Sequence, residues 1–299
     1  MGRLIRNILI IGLAVIAGVS LPAETRASVA PDRTESLRKS IERKEPCTVP
    51  YLQRYYTDNR LVLVCYGPEI GWQLNPLVTL SEAGQDPNAV RATLDALLPY
   101  LEVTTTENGA LNYVRANYYF DWYGIKGPWI SAMTQGLLAE QAMQVYLYGG
   151  GEHYRQLWRM AVNSFFVPLE EGGISLEMPE GKWFLMLPSP EEGQILNAHL
   201  QAMDSLVRTN VLYPDAEVGQ LIRFGLAALK AKLPEYDTGE WSRYGLFGRS
   251  DHASSLDYHR YQTGLLLRLF QFTREEELYR TAVSFRRYES LKLNRTPAR

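Results

Sequence analysis

The chain has 299 residues, of which 46% are hydrophobic, and its formal net charge is −2 at neutral pH. This length and composition suffice for a sizeable apolar core, so the fold needs neither a structural metal ion nor a dense set of disulfides. The charge balance gives no overall basic field, and we therefore expect no nucleic-acid partner. A polyanionic ligand would instead need a local cluster of arginines.

The first residues are typical of an export signal. Two arginines precede an uncharged run over 7–20, and small residues follow at Ala23 and Ala27. The apolar part of that run is shorter than the roughly 20 residues that a membrane span needs. The sequence therefore predicts a signal peptide over 1–27 and a secreted or periplasmic product with no stable membrane span after cleavage. An uncleaved membrane anchor is the alternative.

The sequence contains two cysteines, Cys47 and Cys65. An even number in an exported chain permits one disulfide. The apolar run over 61–64 is typical of a strand to which the Cys47 segment would be joined. We predict this bond, with two buried thiols as the alternative, and we interpret 28–71 as an exposed lead-in followed by short strands.

Beyond a short amphipathic stretch, apolar residues at helical spacing predict three successive pairs of helices. The amphipathic stretch covers 88–98. The first predicted pair consists of a helix from Trp129 to 148 and a helix over 154–166. The second pair covers 192–207 and 214–233, and the third covers 257–272 and 274–288. Asp257 is predicted to cap the helix that it begins. The third pair is joined so tightly that its members must be antiparallel. The pattern predicts a mainly α fold, an (α/α) toroid or incomplete barrel of antiparallel helix pairs over 72–290, with a small N-terminal β-containing segment.

Two long loops, over 170–193 and 234–256, are the expected location of functional residues. Aromatic rings stack on sugar faces, and arginines and amides bind carboxylates and hydroxyls, so the composition of these loops suits a saccharide site. The residues concerned are Trp183, Tyr236, Asp237, Trp241, Arg243 and Tyr244, followed by Asp257, Tyr258 and His259. The sequence has no zinc-site spacing, nucleophile elbow or phosphate-binding glycine loop, so we predict neither a metal nor an organic cofactor.

Four motifs follow one another along the helical part of the chain. They are Trp129-Ile130-Ser131-Ala132-Met133-Thr134-Gln135-Gly136, Ile195-Leu196-Asn197, Leu233-Pro234-Glu235-Tyr236-Asp237-Thr238-Gly239 and Asp257-Tyr258-His259. In this order they resemble the C-terminal catalytic domain of D-glucuronyl C5-epimerases, and the resemblance covers about 72–288. It implies a helical domain that inverts C5 of glucuronate to iduronate in a heparosan- or heparan-like polymer.

Inversion at C5 needs a base that removes a weakly acidic proton and an acid that returns one to the opposite face. The resemblance assigns Tyr244 and Tyr258 to this proton traffic. A tyrosine serves as base if nearby cations lower its usual pKa of about 10. The candidates for these cations are Arg243, Arg249, Arg260 and His259. The predicted substrate-binding residues are Asn197, Arg243, His259, Gln135 and Trp183.

One family segment is altered in this chain. The segment Trp-Tyr-Glu-Glu-Tyr-Pro aligns where Met186 and Leu187 replace an active-site Glu and Tyr, and a positioned acid or base contributes about 10²–10⁴ to a rate. Glu191 and Glu192 lie just downstream as substitutes, or else as partners of a helix dipole in the first turn of the next helix. The family motif Tyr-x-Asp-Leu-Arg, which begins here at Tyr244, also loses its arginine.

Three functions therefore stay open. The first is a uronate C5-epimerase with impaired activity, and the second is a non-catalytic carbohydrate-binding or assembly protein. The third is a polysaccharide lyase on the same scaffold, because lyases also begin by removing the C5 proton. The expected partner is a uronate-containing polysaccharide in every case, and a homodimer is left open.

The mature chain should begin after Ala23 or Ala27, because small residues at these positions follow the apolar run as they do at signal-peptide cleavage sites. Intact-mass measurement of the exported protein checks the cleavage site. A product in the periplasm or medium that retains residues 1–20 would contradict the signal peptide.

Overall fold

The computed structural model describes Cys47 and residues 53–295 of the chain. The predicted signal peptide and most of the predicted lead-in lie outside the described residues. Within the described part, no helix combines the length and the apolar character needed to cross a membrane.

A three-stranded antiparallel sheet begins the continuous part. Its strands β1 (Arg54–Tyr56), β2 (Val62–Cys65) and β3 (Trp72–Leu74) are paired in this order. Every residue of β2 is buried, and Leu63 belongs to the same apolar core as the helices. The small β-containing segment is therefore packed against the helical part of the chain.

The predicted disulfide between Cys47 and Cys65 is present, with Cα atoms 5.4 Å apart. The backbone N–H of Gly67 also donates to Cys47 Sγ over 3.2 Å. Both cysteines are buried, so the bond joins the Cys47 segment to the inner strand of the sheet.

The mainly α prediction is confirmed, with eight α-helices among the described residues. They are α1 (Pro76–Ser81), α2 (Pro87–Leu97), α3 (Ala132–Val145), α4 (Glu152–Asn163), α5 (Leu196–Leu212), α6 (Ala216–Tyr236), α7 (Leu256–Thr273) and α8 (Glu276–Arg295). Two antiparallel hairpins are inserted between them. These are β4 (Leu101–Thr105) with β5 (Asn112–Ala116), and β6 (Ser175–Met178) with β7 (Gly181–Phe184).

The longer helices pack as the predicted antiparallel pairs, α3 with α4, α5 with α6 and α7 with α8. α3 also packs against α5, and α5 against α7, so the pairs follow one another along an arc. α1 and α2 cover α3, and the β6–β7 hairpin packs through β7 on α6. This order of packing agrees with the predicted incomplete toroid, and the described helices form no closed barrel.

Two helices begin three or four residues later than their apolar pattern predicts. α3 begins at Ala132 rather than at Trp129, because Trp129 pairs with Tyr118 in an extended bridge with N···O distances of 2.7 and 3.0 Å. α5 begins at Leu196 rather than at residue 192, because the preceding residues form a turn. In this turn the Met186 N–H donates a hydrogen bond to the Gly193 carbonyl over 3.0 Å. Periodicity does not detect either backbone pairing.

The first turn of α7 is capped by Ser255, not by Asp257 as predicted. The Ser255 side chain accepts a hydrogen bond from the Tyr258 N–H over 3.3 Å, while Asp257 lies inside the first turn and is exposed. An acidic side chain at that position still interacts favourably with the helix dipole. The helix therefore begins one residue earlier than predicted, and Tyr258 lies in its first turn.

A polar layer joins α3, α5 and α7 inside the arc. Glu140 is 7% exposed and accepts from Arg208 at 2.9 Å and from the Ser205 hydroxyl at 3.0 Å. Burial raises the pKa of the Glu140 carboxyl, and Arg208 opposes that rise. Asp204 is fully buried, and its carboxylate accepts hydrogen bonds from two nitrogens of Arg268 over 3.1–3.2 Å.

The Arg268→Met variant should lower the free energy of unfolding by about 3 kcal/mol, because it leaves the Asp204 carboxylate buried without its cation. Arg54→Gln is the matched control, since Arg54 pairs with Glu82 at an exposed position and should contribute less than about 1 kcal/mol. Urea unfolding of both variants makes the comparison. Equal changes would show that the buried pair does not stabilise the helix layer.

Candidate functional site

The segment between α6 and α7 is held against the start of α5 by backbone hydrogen bonds. The Leu196 N–H donates to the Tyr244 carbonyl over 3.0 Å, and the Tyr244 N–H donates to the His252 carbonyl over 2.8 Å. Gln262 on α7 donates from Nε2 to the Arg243 carbonyl over 3.1 Å. The loop is thus fixed at Tyr244, which lies beside the N-terminus of α5.

The two tyrosines predicted for proton transfer lie together. The ring centroids of Tyr244 and Tyr258 are 4.9 Å apart, with an interplanar angle of 58°. The His252 ring also stacks on Tyr244, with ring centroids 5.0 Å apart and an interplanar angle of 8°. Tyr258 is 43% exposed. The structure therefore brings a loop tyrosine and a helix tyrosine to one accessible position.

An apolar floor lies beneath Tyr244. It consists of Met133, Ile195 and Ala198, and Tyr244 and Tyr261 pack against it. We call Tyr244, Tyr258, His252 and this floor the tyrosine surface.

A second apolar cluster borders the tyrosine surface. It contains Tyr118, Phe120, Trp129 and Leu187. Leu77 and Met186 pack against both the floor and this second cluster. Leu77 and Met186 therefore join the two buried clusters into one region of packed apolar side chains.

Asn197 lies next to this surface in the first turn of α5. It is 3% exposed, and its Oδ1 has no hydrogen-bond partner among the described residues. Buried acceptors without a partner are uncommon in folded proteins. Its neighbour Leu196 is hydrogen-bonded to the Tyr244 carbonyl, so Asn197 directly follows the backbone contact that fixes Tyr244.

Gln135 is fully buried and does not reach the tyrosine surface. Its Nε2 donates to the Val114 carbonyl over 2.6 Å, and its Oε1 accepts from the Ala116 N–H over 3.0 Å. Both halves of the amide are therefore used to bind the backbone of β5 to α3.

Trp183 is also fully buried. Its ring stacks on His199 at 4.1 Å and on Tyr236 at 5.6 Å. His199 accepts from the Phe184 N–H over 2.9 Å, and its other ring nitrogen faces the Gly225 carbonyl at 3.1 Å. Burial lowers the pKa of His199 to about 3, so the ring is neutral in this stack.

His259 lies on the inner side of α7, one residue from Tyr258. It stacks on Trp241 at 3.7 Å, and its ring nitrogens contact the Ser242 hydroxyl at 2.7 Å and the Phe285 carbonyl at 2.9 Å. The ring is fully buried, and burial lowers its pKa. His259 is therefore a neutral residue that supports the loop, and it supplies no cation to the tyrosines.

The arginines near the tyrosine surface differ in how they are paired. Arg243 forms an ion pair with Asp251, and Arg260 forms one with Glu289 at 2.6 Å. No ion pair of Arg249 exists among the described residues, and its guanidinium lies 5.6 Å from the ring centroid of Tyr123. The His, Cys, Asp and Glu side chains of the described part form no group of three or more that could hold a metal ion.

The altered family segment is apolar in the folded protein. Met186 accepts a hydrogen bond from the Ser131 hydroxyl at Sδ over 3.4 Å and borders the tyrosine surface, while Leu187 is 2% exposed in the second cluster. Glu192 precedes α5 and accepts the Arg249 N–H at 3.0 and 3.1 Å, so it is not in the first turn of a helix. The expectation of a helix-dipole partner at Glu192 was wrong, because the helix begins later.

Two residues of the site were not predicted. Tyr261 lies one turn after Tyr258, donates its hydroxyl proton to Gln201, and is held protonated because burial raises its pKa to about 12. Helical i,i+3 spacing from Tyr258 is a signal that would have identified it. His252 has no such signal, because only the pairing of the loop backbone brings it to Tyr244.

Comparison with protein families assigns most of the helical part to one family. Residues 106–287, more than half of the chain, match the family model described as D-glucuronyl C5-epimerase C-terminus. The chain belongs to this family. The predicted resemblance is therefore confirmed, and the tyrosine surface lies within the matched region.

Two curated proteins are similar to part of this chain. The uncharacterized protein MJ1128 of Methanocaldococcus jannaschii is 28% identical over 54% of this chain and 53% of its own length. A D-glucuronyl C5-epimerase of Caenorhabditis elegans is 25% identical over 52% of this chain and 28% of its own length. The matched region thus spans about half of the first relative and just over a quarter of the second.

Lowering the pH from 7.5 to 5 should reduce the free energy of unfolding by about 2 kcal/mol through His199. The unfolded chain binds a proton below the ordinary histidine pKa of about 6.5, whereas the folded ring stays neutral down to about 3. The stabilising contribution of neutral His199 is therefore complete above pH 6.5 and is lost progressively as the pH falls from 6.5 towards 3. His259 acts in the same direction.

Urea unfolding at several pH values measures this dependence, and His199→Gln should flatten it. His153→Gln is the control, because His153 is exposed and should leave the slope unchanged. An unchanged slope in His199→Gln would refute the assignment.

Proposed function

We propose that this protein is a uronate C5-epimerase of low activity that acts on a heparosan-like polymer. The observation that supports this most directly is the contact of Tyr244 with Tyr258 at an accessible position beside Asn197. Membership of the epimerase family supports the reaction class. The apolar side chain of Met186 at the border of the same surface supports the low activity.

The reaction moves protons and changes no oxidation state. A tyrosinate oxygen takes the C5 proton, the electron pair of the broken C–H bond is delocalised into the adjacent carboxylate, and an acid then returns a proton to C5. Return from the same face restores glucuronate, and return from the opposite face gives iduronate. The tyrosine that gains a proton and the acid that loses one exchange them with water.

The spacing of the tyrosines limits what they do together. A sugar ring between two aromatic rings needs two contacts of about 3.5–4.0 Å each, hence about 7–8 Å between the rings. Tyr244 and Tyr258 are 4.9 Å apart, so we infer that both serve one face of the sugar. Inversion needs a donor on the other face, and Met186, which lies at the border of the surface, has no proton to give.

The native protein should therefore exchange the C5 proton of heparosan with deuterated water slowly and form little iduronate. Tyr244→Phe or Tyr258→Phe should remove the exchange, because each deletes a hydroxyl of the proton-transfer pair. Met186→Glu should raise iduronate formation by about 10²–10⁴, the usual contribution of one positioned acid or base. NMR of the recovered polymer measures deuterium at C5 and the configuration.

Met186→Gln is the matched control, since it has the size of glutamate without the acid and should give no increase. We choose the single change because Leu187 is buried among Tyr118, Phe120 and Trp129, where a tyrosine would overpack the cluster. Rapid inversion by the native protein, with no gain in Met186→Glu, would contradict the impaired-enzyme proposal.

The same experiment separates the rivals. Binding of the polymer without exchange in the native protein or in Met186→Glu would favour the non-catalytic carbohydrate-binding protein, which the apolar pair Met186 and Leu187 also favours. Unsaturated chain ends that absorb in the ultraviolet would identify a lyase, because elimination of the 4-linked sugar follows the same proton removal.

We also propose that the protein is secreted or periplasmic. The Cys47–Cys65 disulfide supports this proposal, because such bonds persist in oxidising compartments. Its substrate would then be a polysaccharide outside the cytoplasm. Fractionation of cells that produce the full chain tests the location, and a cytoplasmic product with reduced cysteines would contradict it.

A further inference from the structure

The tip of the loop between α6 and α7 presents Arg249 at a fixed position. The Arg249 N–H donates to both carboxylate oxygens of Glu192, and the Ser250 hydroxyl donates to the Phe247 carbonyl over 2.8 Å. Gly248 has φ +57°, and a Cβ there would lie 2.2 Å from Glu192 Oε1. The backbone of the tip therefore depends on this glycine, while the Arg249 side chain extends outward.

The guanidinium of Arg249 faces an aromatic ring rather than an acid. It lies 5.6 Å from the ring centroid of Tyr123, within the distance of a cation–π contact. The two other arginines of this face, Arg243 and Arg260, are already neutralised by carboxylates. Within the described chain, the positive charge of Arg249 is not cancelled by an ion pair.

Tyr123 is itself held in a constrained turn. Tyr123 and Gly124 have φ values of 50° and 79°, and the flanking Trp122 and Ile125 exchange two backbone hydrogen bonds of 2.8 and 2.9 Å. A positive φ is uncommon for a tyrosine, so the closed turn imposes this conformation. The ring remains half-buried, with Trp122 edge-on at 5.2 Å.

This pair is continuous with the tyrosine surface. Tyr123 packs against the second apolar cluster, and Met186 packs both against that cluster and against the floor beneath Tyr244. Arg249 is also only five residues beyond Tyr244, in the loop closed by the Tyr244–His252 hydrogen bond. Packed apolar side chains and the closed loop thus connect this pair to the tyrosine surface.

We propose that Arg249 and Tyr123 form a second saccharide subsite, which binds the carboxylate of a neighbouring uronate in the same polymer chain. The guanidinium provides two parallel donors that match a carboxylate, and the ring provides an apolar face for a pyranose. A neutral sugar uses only the ring. This subsite rests on the proposed function for its polymer, and it adds the requirement for a second carboxylate.

Isothermal titration calorimetry with a heparosan hexasaccharide and with its carboxyl-reduced counterpart tests the subsite. The native protein should bind the carboxylated form tighter by about tenfold or more, the contribution of a charge-assisted hydrogen-bonded pair. Arg249→Gln should lose most of this preference while binding the reduced form as the native protein does. Arg249→Lys should keep only part of it, because lysine has no planar fork.

Arg274→Gln is the matched control. Arg274 lies 5.9 Å from the ring centroid of Phe270 at the opposite end of α7 from Tyr258, so its loss should leave the preference unchanged. Tyr123→Leu should weaken both forms of the ligand. Thermal melting confirms that each variant is folded.

A native protein that does not distinguish the two ligands would overturn the subsite, and so would full preference in Arg249→Gln. Deuterium exchange at C5 in the same samples reports separately on the proposed reaction. An Arg249-dependent preference without any exchange would support the subsite and contradict the epimerase proposal. Exchange without that preference would do the reverse.

Discussion

The arrangement of the site depends on how the first turn of α5 is satisfied. The first N–H groups of a helix have no partner inside the helix, and a side chain usually accepts one of them. Ile195 occupies the cap position and cannot accept, so the Tyr244 carbonyl takes the Leu196 N–H instead. The hydrogen bond therefore satisfies the start of α5 and fixes the distant loop at the same time, and it brings Tyr244 beside Asn197.

The N-terminal sheet stabilises the other side of the same surface. Asn75 accepts from the Val78 N–H at the start of α1 and donates to the Tyr66 hydroxyl over 2.6 Å. Leu77, in the helix so capped, packs against both the floor of the tyrosine surface and the second apolar cluster. The disulfide at Cys65 joins a further segment to this sheet. The β-containing segment is thus part of the structure that supports the site, although the family match begins only at residue 106.

The sequence predicted the longer helices, their antiparallel pairing and two tyrosines that the structure brings together, because periodicity and motif matches carry that information. It could not give side-chain orientation. Gln135, Trp183 and His259 were predicted to bind substrate, yet each is buried and contacts only other parts of the protein. Their positions depend on backbone pairings between segments far apart in sequence. His252 shows the same limit in the other direction, since its contact with Tyr244 has no local pattern.

The charge distribution sets the terms on which this surface can recognise a polyanion. With a formal net charge of −2, the chain has no long-range attraction for a polymer of carboxylates. Near the tyrosines, Arg243 and Arg260 are paired with acids, so their fields are largely cancelled within a few ångströms. Recognition of the proposed polymer would then have to come from contact geometry. The proposed subsite of Tyr123 and Arg249 would meet that requirement, because stacking and bidentate hydrogen bonding act only on a sugar whose carboxylate is correctly placed.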